Sequence, residues 1–241
     1  MLTERIEVQG RSVRQLRPNL LLDSDLVHCW GAAGSGKTLF ACLQAAEYSR
    51  SGTVEWINTD GKVGFLSALK ATTRALGGDP SRISITVANG HRNALKAVRR
   101  AVETIAPDTN LLIVDPITRV IDMSREEDVL WGREMIEEVL PSLVSQTEIG
   151  VRVLLVSEVR YLDVGVLPVM YDTISRWKPL NLHMARGPGR YSTISIPAGP
   201  DEEVVAIMRL GKNGVINVTA EGIPPECRGG DTQCLESQSF V

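Results

Sequence analysis

The chain reads as an α/β protein whose mostly parallel central sheet is flanked by helices and finished at its C-terminal edge by antiparallel strands. Three observations point there. Short apolar runs alternate with helical patterns from residue 26 to residue 156, the order that builds a parallel sheet wrapped by helices. A glycine-rich loop, Gly31 to Thr38, joins the first strand to the first helix. Beyond residue 170, strand runs follow one another across turn signals, as antiparallel neighbours do.

Leu26-Val27-His28-Cys29-Trp30 is the first buried strand, and Thr38 to Ser49 the first helix, with Leu39, Cys42, Leu43 and Ala46 at helical spacing. Val54-Glu55-Trp56-Ile57 is a second strand, expected beside the first. Val63 to Leu76 is helical and stops at Gly77-Gly78-Asp79-Pro80. Ile83 to Val87 alternates as a strand. Asn93 to Ile105 follows as a helix with an apolar stripe of Leu95, Val98, Val102 and Ile105, and an opposite face of Arg92, Lys96, Arg99 and Arg100 that reads as solvated surface. Leu111-Leu112-Ile113-Val114 is uninterruptedly apolar, as strands buried on both faces are. A long helix is expected from Glu127 to Gln146, then a strand from Val151 to Val156. Tyr191 to Ile196, Val204 to Leu210 and Val215 to Val218 are the antiparallel strands, with turns at Gly187-Pro188-Gly189 and Ala198-Gly199-Pro200. Residues 1–23 are expected to be an arm, 24–218 the core, and 219–241 a polar, flexible tail.

Composition narrows the function. The 241 residues are 43% hydrophobic and 23% charged, enough for a real core without disulfide or metal support. A net charge of −3 gives no global attraction for nucleic acid or anionic membranes, so DNA contact would need local basic loops. No apolar run approaches the roughly 18 residues of a membrane span, and the charged N-terminus lacks the apolar centre of a signal peptide; the expectation is a cytoplasmic protein. Cys29 and Cys42 sit in apolar runs as small core residues, while Cys227 and Cys234 could bridge but are expected as free thiols. With no CxxC pair, a zinc site is not expected.

Gly31-Ala32-Ala33-Gly34-Ser35-Gly36-Lys37-Thr38 fits G-x-x-x-x-G-K-[ST] in full, in the required strand-to-helix context. Its backbone amides, with Leu39 at the first helical turn, can ring a phosphate that the helix N-terminus also attracts. Lys37 adds a mobile charge for the β and γ phosphates of ATP, and Thr38 a hydroxyl for Mg²⁺. Asp115 ends the apolar run at the sheet edge where ligands bind in open α/β sheets, so it is the expected second holder of Mg²⁺. Asp60, in Thr59-Asp60-Gly61, either orients the attacking water or forms a simple Asp-Gly turn.

At this point the chain resembles the RecA/RadA recombinase superfamily, above all its short archaeal RadA-like (RadB-type) paralogues. The residues that carry the resemblance are Gly31 to Thr38, Trp56-Ile57-Asn58-Thr59-Asp60-Gly61, Leu111 to Thr118, Val153 to Val159, and the late Arg190 and Lys212-Asn213-Gly214-Val215. The resemblance implies a RecA-like ATPase core acting in DNA recombination or repair, with ATP shared between subunits of a homo-oligomer. Asp60 stands where the family has a catalytic Glu, and Glu158 where it usually has a γ-phosphate-sensing Gln; a shorter base and an added negative charge imply weak hydrolysis. The family's DNA loops match Arg119 to Arg133 and Arg160 to Arg176, so Arg119, Arg125, Arg133, Arg160 and Arg176, with Trp131, Tyr161 and Tyr171, are the expected contacts to single-stranded DNA. Residues 1–23 carry no clear Phe-x-x-Ala element, and no helix-hairpin-helix precedes the core, so the expected partner is a RadA-type recombinase, not an autonomous filament. The competing reading is a KaiC-like, nucleotide-dependent signalling switch without DNA, motivated by the acidic net charge and Glu158.

Overall fold

The computed structural model describes residues 5–8, 11–14, 24–120, 135–162, 165–187, 191–198 and 201–219. In chain order the strands are β1 (Arg5–Val8), β2 (Arg11–Arg14), β3 (Leu26–Trp30), β4 (Thr53–Asn58), β5 (Ile83–Val87), β6 (Thr109–Asp115), β7 (Arg152–Ser157), β8 (Val159–Leu162), β9 (Gly165–Pro168), β10 (Leu180–Arg186), β11 (Tyr191–Ala198), β12 (Asp201–Leu210) and β13 (Ile216–Thr219). The helices are α1 (Lys37–Tyr48), α2 (Leu66–Ala75), α3 (His91–Glu103), α4 (Leu140–Glu148) and α5 (Tyr171–Ser175). Nine strands form one sheet in the order β13-β12-β11-β10-β3-β7-β6-β4-β5. The strands from β10 to β5 run parallel, while β11, β12 and β13 add antiparallel to β10.

Alternation along the parallel strands explains the layers, because successive side chains leave a strand on opposite faces. Val27, Cys29, Val54, Trp56, Leu111, Ile113, Leu154 and Val156 meet α1 and α2. Leu26, Ile57, Leu112, Val114, Val153 and Leu155 meet α3, α4 and α5. The central strands β3, β6 and β7 are buried along nearly their whole length, which accounts for their continuous apolar runs. Trp56 is fully buried and stacks on Phe65, ring centroids 4.6 Å apart.

Several expectations change. β4 does not lie beside β3; β7 and β6 intervene, so Asp60 neighbours the strand of Asp115, not the strand of the glycine loop. The expected helix from Glu127 to Gln146 falls partly outside the described residues; its described part opens as a π-turn, Met135–Val139, and becomes α-helical at Leu140. Pro141, at the first turn of α4, has no amide hydrogen to continue a helical ladder backward, which separates the two pieces. The segment matched to a second DNA loop folds as the β8–β9 hairpin followed by α5. Its base is closed by the Val169 amide donating to the Glu158 carbonyl at 2.9 Å. The strand β10 is absent from the sequence pattern read above, and residues 1–23 carry the β1–β2 hairpin. Among the described residues, no helix is long and apolar enough to cross a membrane.

Candidate functional site

The parallel strands end together on one side of the sheet. Trp30 pairs in register with Ser157 and with His183, and Asn58 with Asp115. The segments that leave these ends, Gly31–Gly36, Glu158, Pro116–Val120 and Thr59–Lys62, therefore emerge side by side where α/β sheets bind ligands.

The glycine loop is held from below by β10 and β11. Gly31 lies so close to Met184 that an added Cβ would sit 2.1 Å from the Met184 carbonyl oxygen. Gly36, the N-cap of α1, has φ of 96° in the left-handed region, and a Cβ there would meet the Ser192 hydroxyl at 2.7 Å; glycine is required on both counts. Trp30 stacks on His183 at 4.1 Å, continuing this support along the strand. The Lys37 Nζ donates to the carbonyls of Gly31 and Ala32, both at 2.8 Å. Burial lowers the Lys37 pKa, opposed by the charge of Asp115 among others. Ser35 is buried, and its hydroxyl has no partner, whereas Ala33 and Gly34 are exposed at the tip. A cradle that excludes Cβ atoms, an ammonium bound only to neutral carbonyls, and an unsatisfied buried hydroxyl are what a polyphosphate would complete.

The Thr38 hydroxyl donates to the Asp115 carboxylate, so the two residues expected around Mg²⁺ meet directly. Asp115 is 6% exposed. Burial pushes its carboxyl up to about 6, the Thr38 hydrogen bond and the charges of Lys37 and Lys62 opposing and the charge of Asp60 adding to the shift. Among the described residues no three His, Cys, Asp or Glu side chains converge as a metal cluster. A cation here would take Thr38, Asp115 and oxygens of its ligand, the composition of a nucleotide-linked Mg²⁺ and not of an all-protein site.

Asp60 does form the Asp-Gly turn, and a tightly bonded one. Its Oδ1 accepts from the Lys62 amide at 3.0 Å, and its Oδ2 pairs with the Lys62 ammonium at 2.8 Å. Asn58 closes the same turn, accepting from the Gly61 amide at 2.9 Å and donating to the Lys62 carbonyl at 2.7 Å. Glu158 is paired with Arg119 at 3.3 Å, both side chains about half exposed. One expected DNA contact is thus engaged by an expected catalytic residue. Arg176 caps the end of α5 and is exposed. Arg160 lies on β8; Arg125, Arg133 and Arg190 lie outside the described residues, as do Cys227 and Cys234.

On α3, Arg99 pairs with Glu138 across to the π-turn, both side chains about half exposed. Surface pairs of this kind contribute at most about 1 kcal/mol. Arg99→Ala is expected to shift urea-unfolding stability by less than that, and a larger loss would mean that the face is structural.

Sequence reasoning missed a buried polar clamp beneath the loop. The His28 ring bonds to the Ser157 hydroxyl at 2.8 Å and to the Asn181 side-chain oxygen at 3.0 Å, tying β3, β7 and β10 together. Burial lowers its pKa to about 4, so the ring is neutral at physiological pH. The available signal was the alternation of Leu180, Leu182 and Met184 with Asn181 and His183, which marks β10 as a strand.

Comparison with known proteins agrees with this architecture. The crystal structure of the RadB recombinase is similar in fold, with a TM-score of 0.63 at 19% sequence identity, over 83% of this chain and 95% of that one. No curated protein matches the sequence significantly. A family model described as an AAA domain matches residues 1–160. The chain therefore belongs to this AAA domain family and has a RecA-like fold similar to that of the RadB recombinase.

Proposed function

We propose that the chain binds ATP with Mg²⁺ and hydrolyses it weakly, modulating homologous recombination or DNA repair through single-stranded DNA or a RadA-type recombinase. The observation that carries the nucleotide part is the joint geometry of Lys37 over the loop carbonyls and Thr38 on Asp115. Gly31 to Leu39 would ring the phosphates, and Thr38 and Asp115 would hold Mg²⁺, which supplies charge neutralisation at the phosphates. Asp60 is the candidate to orient water, and Glu158 to face the γ-phosphate. Residues 24–218 would act as the ATPase core, with 1–23 as arm and 219–241 as tail, and a homo-oligomer could share ATP between neighbours. The DNA part rests on the exposed Arg176 together with Arg119, Arg125, Arg133 and Arg160, and on likeness to a recombinase fold.

A nucleotide-dependent, KaiC-like switch is the second reading. It is favoured by the Arg119–Glu158 pair, which occupies a cation that DNA binding would need, and by the net charge of −3. Phosphate release measured with and without single-stranded DNA separates the two. Stimulation by DNA, with gel-shift binding that weakens as salt rises, is the expected result. A flat response with no binding to DNA or to a recombinase would reject the recombination reading and leave the switch.

A further inference from the structure

Lys62 belongs to no motif, yet it stands among the charges of the nucleotide site. Its ammonium is 2.8 Å from the Asp60 carboxylate. Its charge is felt at Lys37 and at Asp115, and it feels Glu158 and Arg119 in turn. The side chain is 79% exposed while that of Asp60 is only 20% exposed, so the lysine can leave the pair at little cost in packing. Its backbone cannot leave, because the Asn58 and Asp60 side chains hold both its amide and its carbonyl. A fixed root with a mobile charged tip, beside the acidic Asp60, Asp115 and Glu158 and the half-buried Lys37, is a device for reaching an incoming anion.

We propose that Lys62 is a specificity-determining residue for the γ-phosphate, held in reserve by Asp60 until a triphosphate arrives. This rests on the nucleotide reading above. With the site empty or holding a diphosphate, the ammonium stays on Asp60 and neutralises it. A γ-phosphate carries more charge than a single carboxylate and draws the ammonium across. Asp60 Oδ2 is then released, while Oδ1 remains fixed by the Lys62 amide, so the carboxylate becomes available for water only when the substrate is the triphosphate. The same exchange discriminates triphosphate from diphosphate before any chemistry occurs.

Calorimetry with MgADP and with Mg-AMP-PNP, a non-hydrolysable triphosphate, tests this on the full chain. Lys62→Met is expected to weaken AMP-PNP about tenfold and ADP less than about twofold, lowering the ratio of the two affinities. Lys62→Arg, which keeps the charge, is expected to restore most of that ratio. A ratio unchanged in Lys62→Met, whether both affinities fall together or neither moves, overturns the proposal, and so does a ratio lost equally in both variants. If the parent chain binds neither nucleotide, it is the nucleotide reading itself that fails.

Discussion

Lys37→Ala is expected to abolish measurable Mg-nucleotide binding by calorimetry and to reduce phosphate release at least about a hundredfold, equivalent to about 3 kcal/mol of lost stabilisation. The reason lies in how the ammonium is stored. It is half-buried and donates to two neutral carbonyls of its own loop, Gly31 and Ala32, at 2.8 Å each. A phosphate oxygen replaces one of those partners with a full negative charge in a site poor in water, where charge-assisted bonds are roughly twice as strong as neutral ones. Alanine removes that exchange and leaves the anion facing the Asp115 carboxylate without the ammonium that offsets it. The cost to folding is small by comparison, because removing the ammonium also removes the penalty of burying it, and the freed Ala32 carbonyl belongs to a residue that is only partly buried. Thermal unfolding of the apo variant should therefore stay within a few degrees of the parent while binding is lost. Lys37→Arg is not a rescue, since the planar fork does not fit the space of a point charge beside the Gly31 and Ala32 carbonyls. Turnover that survives in Lys37→Ala would remove the basis of the nucleotide reading.

The parts of this site that could be read from the sequence are those in which one residue type answers one local demand. Gly31, Gly34, Gly36, Lys37 and Thr38 announce their loop because its backbone path excludes side chains, and Asp115 announces itself by ending an apolar run. The core strands are equally legible: the apolar run Leu26–Trp30 has the limits of β3, and Leu111–Val114 lies within β6. What escaped depended on contacts between distant segments. The order β3-β7-β6-β4 separates the glycine loop from Asp60 by two strands, and no local pattern records which parallel strand lies beside which. The His28–Ser157–Asn181 clamp joins residues up to 153 positions apart, each unremarkable in its own segment. Lys62 escaped for a different reason. A lysine after Asp-Gly is an ordinary surface residue until the turn made by Asn58 brings its ammonium back onto Asp60.

Asp115→Asn should separate stability from function, raising the first while removing the second. Burial holds the Asp115 carboxyl near 6 in the folded chain against an ordinary value of 3.8. The folded state therefore keeps a proton that the unfolded state has already released between those two values. Because the folded pKa is the higher one, this group's contribution to stability falls as pH rises through that window. Below it the carboxyl is neutral in both states and contributes no penalty; above it the penalty is complete, on the order of 3 kcal/mol. Asparagine is nearly isosteric, still accepts the Thr38 hydroxyl, and carries no charge to desolvate. In urea denaturation without divalent cations, the variant should match the parent below about pH 4 and exceed it by about 1–3 kcal/mol above pH 7. The parent has a compensation that the variant lacks. A Mg²⁺ ion with nucleotide supplies the positive charge that the buried carboxylate is missing, so binding converts the penalty into affinity. Mg-nucleotide should therefore raise the melting temperature of the parent, with an effect that weakens as pH falls through about 6, and should leave Asp115→Asn nearly unmoved. A metal-free variant less stable than its parent at pH 7.5 would mean that the Asp115 charge is already compensated by Thr38, Lys37 and Lys62, and that the site carries no stored demand for a cation.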